Sequence, residues 1–233
     1  MKLRSMLLGT LVLLASPVLS ADPGAIRIAD YFMSHVGDTW SYKNNVKDGM
    51  SPISISVSKK AEFAGKSVFQ RDENNGDHRL QTIDARGLLI HRLYFKGDRD
   101  IDYPAPMVLF PAIMKVGEKH HAEAPYTTTD KGQVSEKGTQ TYDSVLEAIE
   151  TADTPLGRFA DCAVIRTIAL RATADGTQKG YNLREWHAKG VGPVKIVGEL
   201  YWILPGKPKR IFQIDATIES ATVAGRSLTA PKS

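Results

Sequence analysis

The sequence predicts a mostly β protein, a curved antiparallel sheet or half-barrel meander with little helix, carried behind an N-terminal export signal. Three observations predict it. Short runs with strand character recur along the chain, separated by Gly, Pro, Asn and Asp turn signals. Ile53-Ser54-Ile55-Ser56-Val57-Ser58 alternates apolar and polar strictly, which buries one face of a strand. Helical periodicity is scarce throughout.

The elements follow in order. Lys2 and Arg4 precede an apolar run from Met6 to Ala15, Pro17 ends it, and Val18-Leu19-Ser20-Ala21 offers small side chains for cleavage near Ser20-Ala21. This is the layout of a secretory signal over residues 1–20. The run is shorter than the roughly 20 apolar residues of a membrane span, and no second such run follows, so no transmembrane span is expected in the mature chain. The expected location is the periplasm or the medium. Residues 21–233 form one exported β domain, with candidate halves at about 30–105 and 106–223.

Within that domain Thr39 to Val46 reads as the first strand and Ile53 to Ser58 as the second. Ala64-Gly65-Lys66 turns into Ser67 to Gln70. Asn74-Asn75-Gly76-Asp77 is a hairpin signal, because Asn and Gly tolerate positive φ. His78 to Asp84 and Leu88 to Phe95 follow as strands, closed by Gly97-Asp98. Tyr103 to Pro111 reads as a crossover, since proline cannot serve the interior of a ladder. A second set begins near Glu118. Thr139 to Ala152 is one long or broken strand, with a short helical turn over Ser144 to Glu150 as the alternative. Asp161 to Ala172, Gly180 to Ala188, Val194 to Leu204 and Arg210 to Ile218 complete the meander. Tyr31 to Trp40 and Phe110 to His120 echo each other: an aromatic residue, a short run, then Val-Gly and an acidic residue before a strand.

Charge and cysteine content limit the function classes. The chain holds 30 basic and 26 acidic residues, and the signal takes two of the basic ones. That near balance, without a basic stripe, argues against nucleic-acid partners. Lys207-Pro208-Lys209-Arg210 reads as a charged turn. Cys162 is the single cysteine, so no internal disulfide and no thiolate zinc cluster can form. It lies among Ala163, Val164 and Ile165, where a buried, inert thiol is expected.

The chain carries no Gly-x-Ser-x-Gly elbow, P-loop or His-Glu-x-x-His motif. Gly190-Val191-Gly192-Pro193 is a turn signal, because Lys195 stands at the third glycine position of a dinucleotide fingerprint. His120 and His121 neighbour Glu118 and Glu123. On a strand, His121 shares a face with Glu123, and His120 with Glu118. Either pair gives two metal ligands where a site needs three or four, so a solvated polar strand is the expectation. Asp98, Asp100 and Asp102 alternate on one strand face and read as an exposed edge. No catalytic residue, metal site or cofactor is assigned, and the chain is read as a non-enzyme.

Three stretches resemble a diffuse group of exported bacterial domains of unknown function. They are Tyr31-Phe32 with Val36-Gly37-Asp38-Thr39-Trp40-Ser41-Tyr42, then Thr154-Pro155-Leu156-Gly157-Arg158-Phe159-Ala160-Asp161-Cys162, then Glu185-Trp186-His187-Ala188-Lys189-Gly190-Val191-Gly192-Pro193-Val194-Lys195. His187 and Lys189 depart from that group's pattern. The resemblance implies a curved antiparallel sheet similar in broad shape to periplasmic lipoprotein carriers, and it carries no catalytic residues. On that basis the expected function is binding of an apolar ligand or a lipidated partner on a concave sheet face, lined by Leu93, Phe95, Trp186 and Trp202. The alternative is an envelope or secretion-associated interaction protein that pairs through exposed strand edges.

Overall fold

The computed structural model describes residues 24–32, 34–46, 53–96 and 99–229. The predicted signal and its cleavage point lie outside the described residues, as does the Gly97-Asp98 turn. Among the described residues there are fifteen strands: β1 (Ala25–Arg27), β2 (Thr39–Asn44), β3 (Ile53–Phe63), β4 (Lys66–Glu73), β5 (His78–Asp84), β6 (Gly87–Phe95), β7 (Arg99–Pro111), β8 (Ile113–Lys115), β9 (Lys119–Asp130), β10 (Gln133–Thr154), β11 (Gly157–Thr173), β12 (Gln178–Ala188), β13 (Gly192–Ile203), β14 (Arg210–Val223) and β15 (Arg226–Thr229). A single 3-10 turn, Ile28–Asp30, is the helical element among the described residues. No helix among them is long and apolar enough to cross a membrane.

The expected antiparallel, mostly β fold is present, and the sheet closes further than a half-barrel. Strands β2 to β7 and β9 to β14 each pair antiparallel with their neighbours in sequence, and β14 pairs with both β13 and β2. The sheet therefore closes into a 12-strand antiparallel barrel. Closure satisfies the edge hydrogen bonds that an open sheet would leave to solvent.

The crossover and the exposed acidic edge are corrected as well. Tyr103 to Pro111 belongs to β7 and is not a crossover. The β6–β7 register runs from Arg92↔Asp102 directly to Ile90↔Met107, so four residues of β7 bulge opposite His91. Pro104 and Pro106 sit in that bulge, where no ladder N–H is required. The long or broken strand expected over Thr139 to Ala152 is present, and the helical alternative at Ser144 to Glu150 is not: both lie inside the 22-residue β10, which breaks register after Leu146 and again after Glu150. Asp100 and Asp102 do not form a free edge either. They pair with Arg92 on β6, at 3.8 Å for Asp100 and closer for Asp102.

One end of the barrel is closed by the segment that precedes β2. Strand β1 pairs with β8, and the 3-10 turn carries Ile28, Tyr31 and Phe32 into the interior, where all three are buried. The echo in the sequence corresponds to two turns of one geometry. Gly37 and Gly117 both take positive φ, +96° and +83°. The Gly37 N–H bonds Val57 O and the Gly117 N–H bonds Leu146 O, each at 2.9 Å. The next residue closes each turn, Asp38 N–H onto His35 O and Glu118 N–H onto Lys115 O. Each turn launches a six-strand run of the barrel, at β2 and at β9.

The wall has one open seam. Strands β7 and β9 pair only over Arg99–Asp102. Further along, side chains reach the β7 backbone: Ser144 Oγ donates to Leu109 O at 3.3 Å, and His120 Nε2 lies 3.0 Å from Val108 O.

Candidate functional site

Strand alternation sets which side chains enter the barrel. On β11 the odd positions Thr167, Ala169 and Arg171 face inward, and on β12 the odd positions Lys179 to His187 do so. The lumen they share with the other strands is a cavity of about 740 Å³. That lies within the roughly 300–1,000 Å³ of small-molecule sites. Its floor is Phe32, Leu88, Phe110 and His187, above the closing segment. Its mouth is ringed by Asn75, Asp77, His78, Lys179 and Trp202, at the end where the turns 74–77, 174–177 and 204–209 lie.

Of the four residues expected to line a ligand site, the structure brings Leu93, Phe95 and Trp202 to this lumen. Trp186 is elsewhere. Its strand neighbours Glu185 and His187 point inward, so its ring lies on the outer face of β12, still 7% exposed. Charged side chains cover it. Its indole N–H donates to Glu150 Oε1 at 2.8 Å, and Arg184 and Lys195 sit 5.0 and 4.9 Å from the ring. Trp202 is 44% exposed at the mouth and touches Phe212 edge-on at 5.9 Å. Trp40 shares the inner face with its cross-strand partner Ile55 and is buried at the closed end, beside Phe32 and His187.

The lumen also holds a set of polar residues that sequence reasoning did not single out. Arg71, Glu73, Arg79, Arg171, Lys179, Glu185 and His187 all line it. Burial pushes the Glu73 carboxyl above its ordinary value of 4.5; Arg71 opposes that shift, and Asp77 and Glu185 add to it. For Glu185 burial acts in the same sense, but the His187 imidazole and the Arg71 guanidinium together outweigh it and hold the carboxyl below 4.5. His187 Nε2 lies 3.9 Å from Glu185 Oε2, beyond hydrogen-bond reach, and neither ring nitrogen has a partner. The ring packs instead on Phe32, 4.1 Å between centroids. Thr167 Oγ1 is buried without a partner as well. No motif could have revealed this set, because inward and outward positions on β11 and β12 carry similar mixtures of polar and apolar residues.

The histidine pair splits as alternation requires. His120 serves the β7 seam. His121 lies on the outer surface, with Nδ1 2.7 Å from Asp143 Oδ1 and Nε2 3.8 Å from Glu123. The hydrogen bond to Asp143 raises its pKa. Among the described residues no three His, Cys, Asp or Glu side chains are arranged to hold a metal ion. Cys162 is fully buried on β11, its thiol 3.4 Å from Phe159 O, and burial pushes that thiol up to about 11.

The three stretches on which the sequence resemblance rests meet at the closed end. Trp40 Nε1 donates to Val191 O at 2.7 Å, and Tyr42 Oη donates to Pro193 O at 2.8 Å. Tyr31 Oη reaches Asp161 O at 3.3 Å, and the Gly190 N–H bonds Asp30 O at 2.8 Å. Gly192, at φ +98°, leaves room for the Trp40 ring; a Cβ there would sit 3.2 Å from Trp40 Nε1.

No protein-family model matches the chain, and no curated protein matches it. A solved structure of a candidate lipoprotein from Parabacteroides distasonis is similar over 81% of this chain and 98% of its own, at 16% identity and a TM-score of 0.43. That similarity is too distant to assign a shared fold, ligand or location.

Proposed function

We propose that the protein is an exported binding protein, not an enzyme, which holds an apolar ligand or the acyl chain of a lipidated partner inside the barrel. The observation that carries this reading is the lumen of about 740 Å³, closed at one end and lined in part by Phe32, Leu88, Leu93, Phe95 and Phe110. A packed barrel of this size would fill its interior with side chains. Apolar surface left facing a lumen gains when an apolar ligand removes it from water.

The chemistry on hand favours binding over catalysis. The one thiol is buried and its pKa raised, and His121 pairs with carboxylates on the outer surface, away from the lumen. The alternative of an envelope partner docking on strand edges draws less support from a closed barrel. Among the described strands, free edges remain at β15, at the β1–β8 pair and along the unpaired stretch of the β7–β9 seam.

The test is native mass spectrometry of protein exported to a bacterial periplasm and purified without detergent, beside organic extraction of the same sample. A bound mass released on denaturation and identified as an acyl compound supports the reading. A clean unliganded mass that gains nothing from added fatty acids or phospholipids overturns it.

A further inference from the structure

The lumen contains two pairs of like charges placed directly opposite one another on adjacent strands. Arg71 on β4 faces Arg79 on β5, and Arg171 on β11 faces Lys179 on β12. All four side chains line the cavity and are half-buried. Directly opposed like charges destabilise a sheet, and a buried charge is costly unless it is paired. Among the described residues, none of the four makes an ion pair within 4.0 Å. Arg79 Nε and Arg171 Nε are buried without a hydrogen-bond partner.

The two pairs differ in what answers their charge. Arg71 has Glu73 two residues along the same face, and it acts electrostatically on both Glu73 and Glu185. The carboxylates that act on Lys179 are Glu136 and Asp175, and each already accepts a hydrogen bond elsewhere. Glu136 accepts the Tyr126 hydroxyl at 2.5 Å, and Asp175 accepts the Thr177 N–H at 2.9 Å. Arg171 instead spreads its guanidinium against the rings of Phe95 and Tyr126, at 5.2 and 5.7 Å. Stacking of that kind holds the fork in place with donors still available. Burial, with Arg171 and Arg99 close by, depresses the Lys179 ammonium below its ordinary 10.5. An oxyanion between the two would relieve the mutual repulsion.

Position along the barrel then sets the orientation of a ligand. Arg171 and Lys179 flank the turn 174–177 at the open end, and Phe95 beside them leads down to Leu88, Phe110 and Phe32 at the floor. We propose that Arg171 and Lys179 hold the oxyanion, carboxylate or phosphate, of an anionic amphiphile whose apolar chain runs from Phe95 to the floor of the lumen. This rests on the lumen-binding reading and adds the charge and the orientation of the ligand.

The test is calorimetric titration of the detergent-free protein with dodecanoate, dodecyl phosphate, dodecan-1-ol and inorganic phosphate, repeated on Arg171→Met and Lys179→Met. A charge-assisted hydrogen bond predicts that one or both chain-bearing anions bind about 10- to 100-fold more tightly than the alcohol. Each variant should lose that preference while keeping the alcohol's affinity. The tighter of dodecanoate and dodecyl phosphate names the source of the oxyanion. Urea unfolding of unliganded Lys179→Met, expected at an unchanged or higher midpoint, shows that the variant folds. Equal binding of anions and alcohol overturns the headgroup assignment and leaves the lumen reading standing, as does a preference that survives both substitutions. Inorganic phosphate binding as tightly as dodecyl phosphate overturns the amphiphile. Binding of none of the four overturns the lumen reading and the headgroup with it.

Discussion

The Trp40 indole donates to the Val191 carbonyl across 151 residues of sequence, at 2.7 Å, and joins the first barrel strand to the turn that opens β13. Trp40 is 3% exposed and Val191 is half-buried, so the bond is partly shielded from water. Trp40→Phe keeps the ring and removes the donor, leaving Val191 O unsatisfied at a cost of about 1–3 kcal/mol. Gly192→Ala adds a Cβ 3.2 Å from Trp40 Nε1 at a backbone angle that L residues rarely adopt. Both variants are expected to unfold at lower urea concentration than the parent. The double variant should fall short of the sum, because the two changes share one contact.

Phe95 and Trp186 separate binding from stability. Phe95 faces the lumen, and Trp186 packs on the outer face of β12. Phe95→Ala is expected to weaken binding of an acyl ligand about tenfold or more, from lost apolar burial. Trp186→Phe should leave ligand affinity unchanged and lower stability by about 1 kcal/mol, through loss of the bond to Glu150. Titration and urea unfolding of both variants check this. Loss of affinity in Trp186→Phe alone would place the ligand outside the barrel.

Glu73 makes stability depend on pH in a stated direction. Burial raises its folded-state pKa above the 4.5 of an ordinary glutamate. Between those two values the folded protein binds more protons than the unfolded chain, so stability falls as pH rises. The contribution is complete below about pH 4.5 and is lost once pH passes the folded value. Glu73→Gln removes this slope, and urea midpoints from pH 4 to 8 should decline less in the variant. A steeper decline in the variant would contradict the assignment.

Cys162 reports on unfolding. Its thiol is fully buried and pushed up to about 11, so little thiolate exists near neutral pH and none of it is accessible. A disulfide reagent at pH 8 is expected to modify the native protein only as fast as the barrel opens, and the unfolded chain at once. Fast modification of the native protein would mean that β11 is open at Cys162.

The sequence by itself determined the local part of this protein. Alternation in Ile53 to Ser58, the Asn75-Gly76 turn and the β-branched run around Cys162 place strands and reversals, because pleat and positive φ are properties of a few consecutive residues. Even the repeated turn at Gly37 and Gly117 was visible as an echo, since the hydrogen bond that closes it spans three residues. Tertiary structure alone decided the rest. Closure depends on β14 meeting both β2 and β13, a pairing that spans most of the chain and leaves no mark in any short segment. Pro104 and Pro106 argued against a strand until a bulge removed the need for their missing donors. The sorting of aromatic residues was equally out of reach. Phe95 enters the lumen while Trp186 packs on the outer face, and which face of a strand becomes the inside is fixed only when the barrel closes. The opposed cations Arg171 and Lys179 become a site for the same reason: register brings them face to face, and closure withdraws them from bulk water.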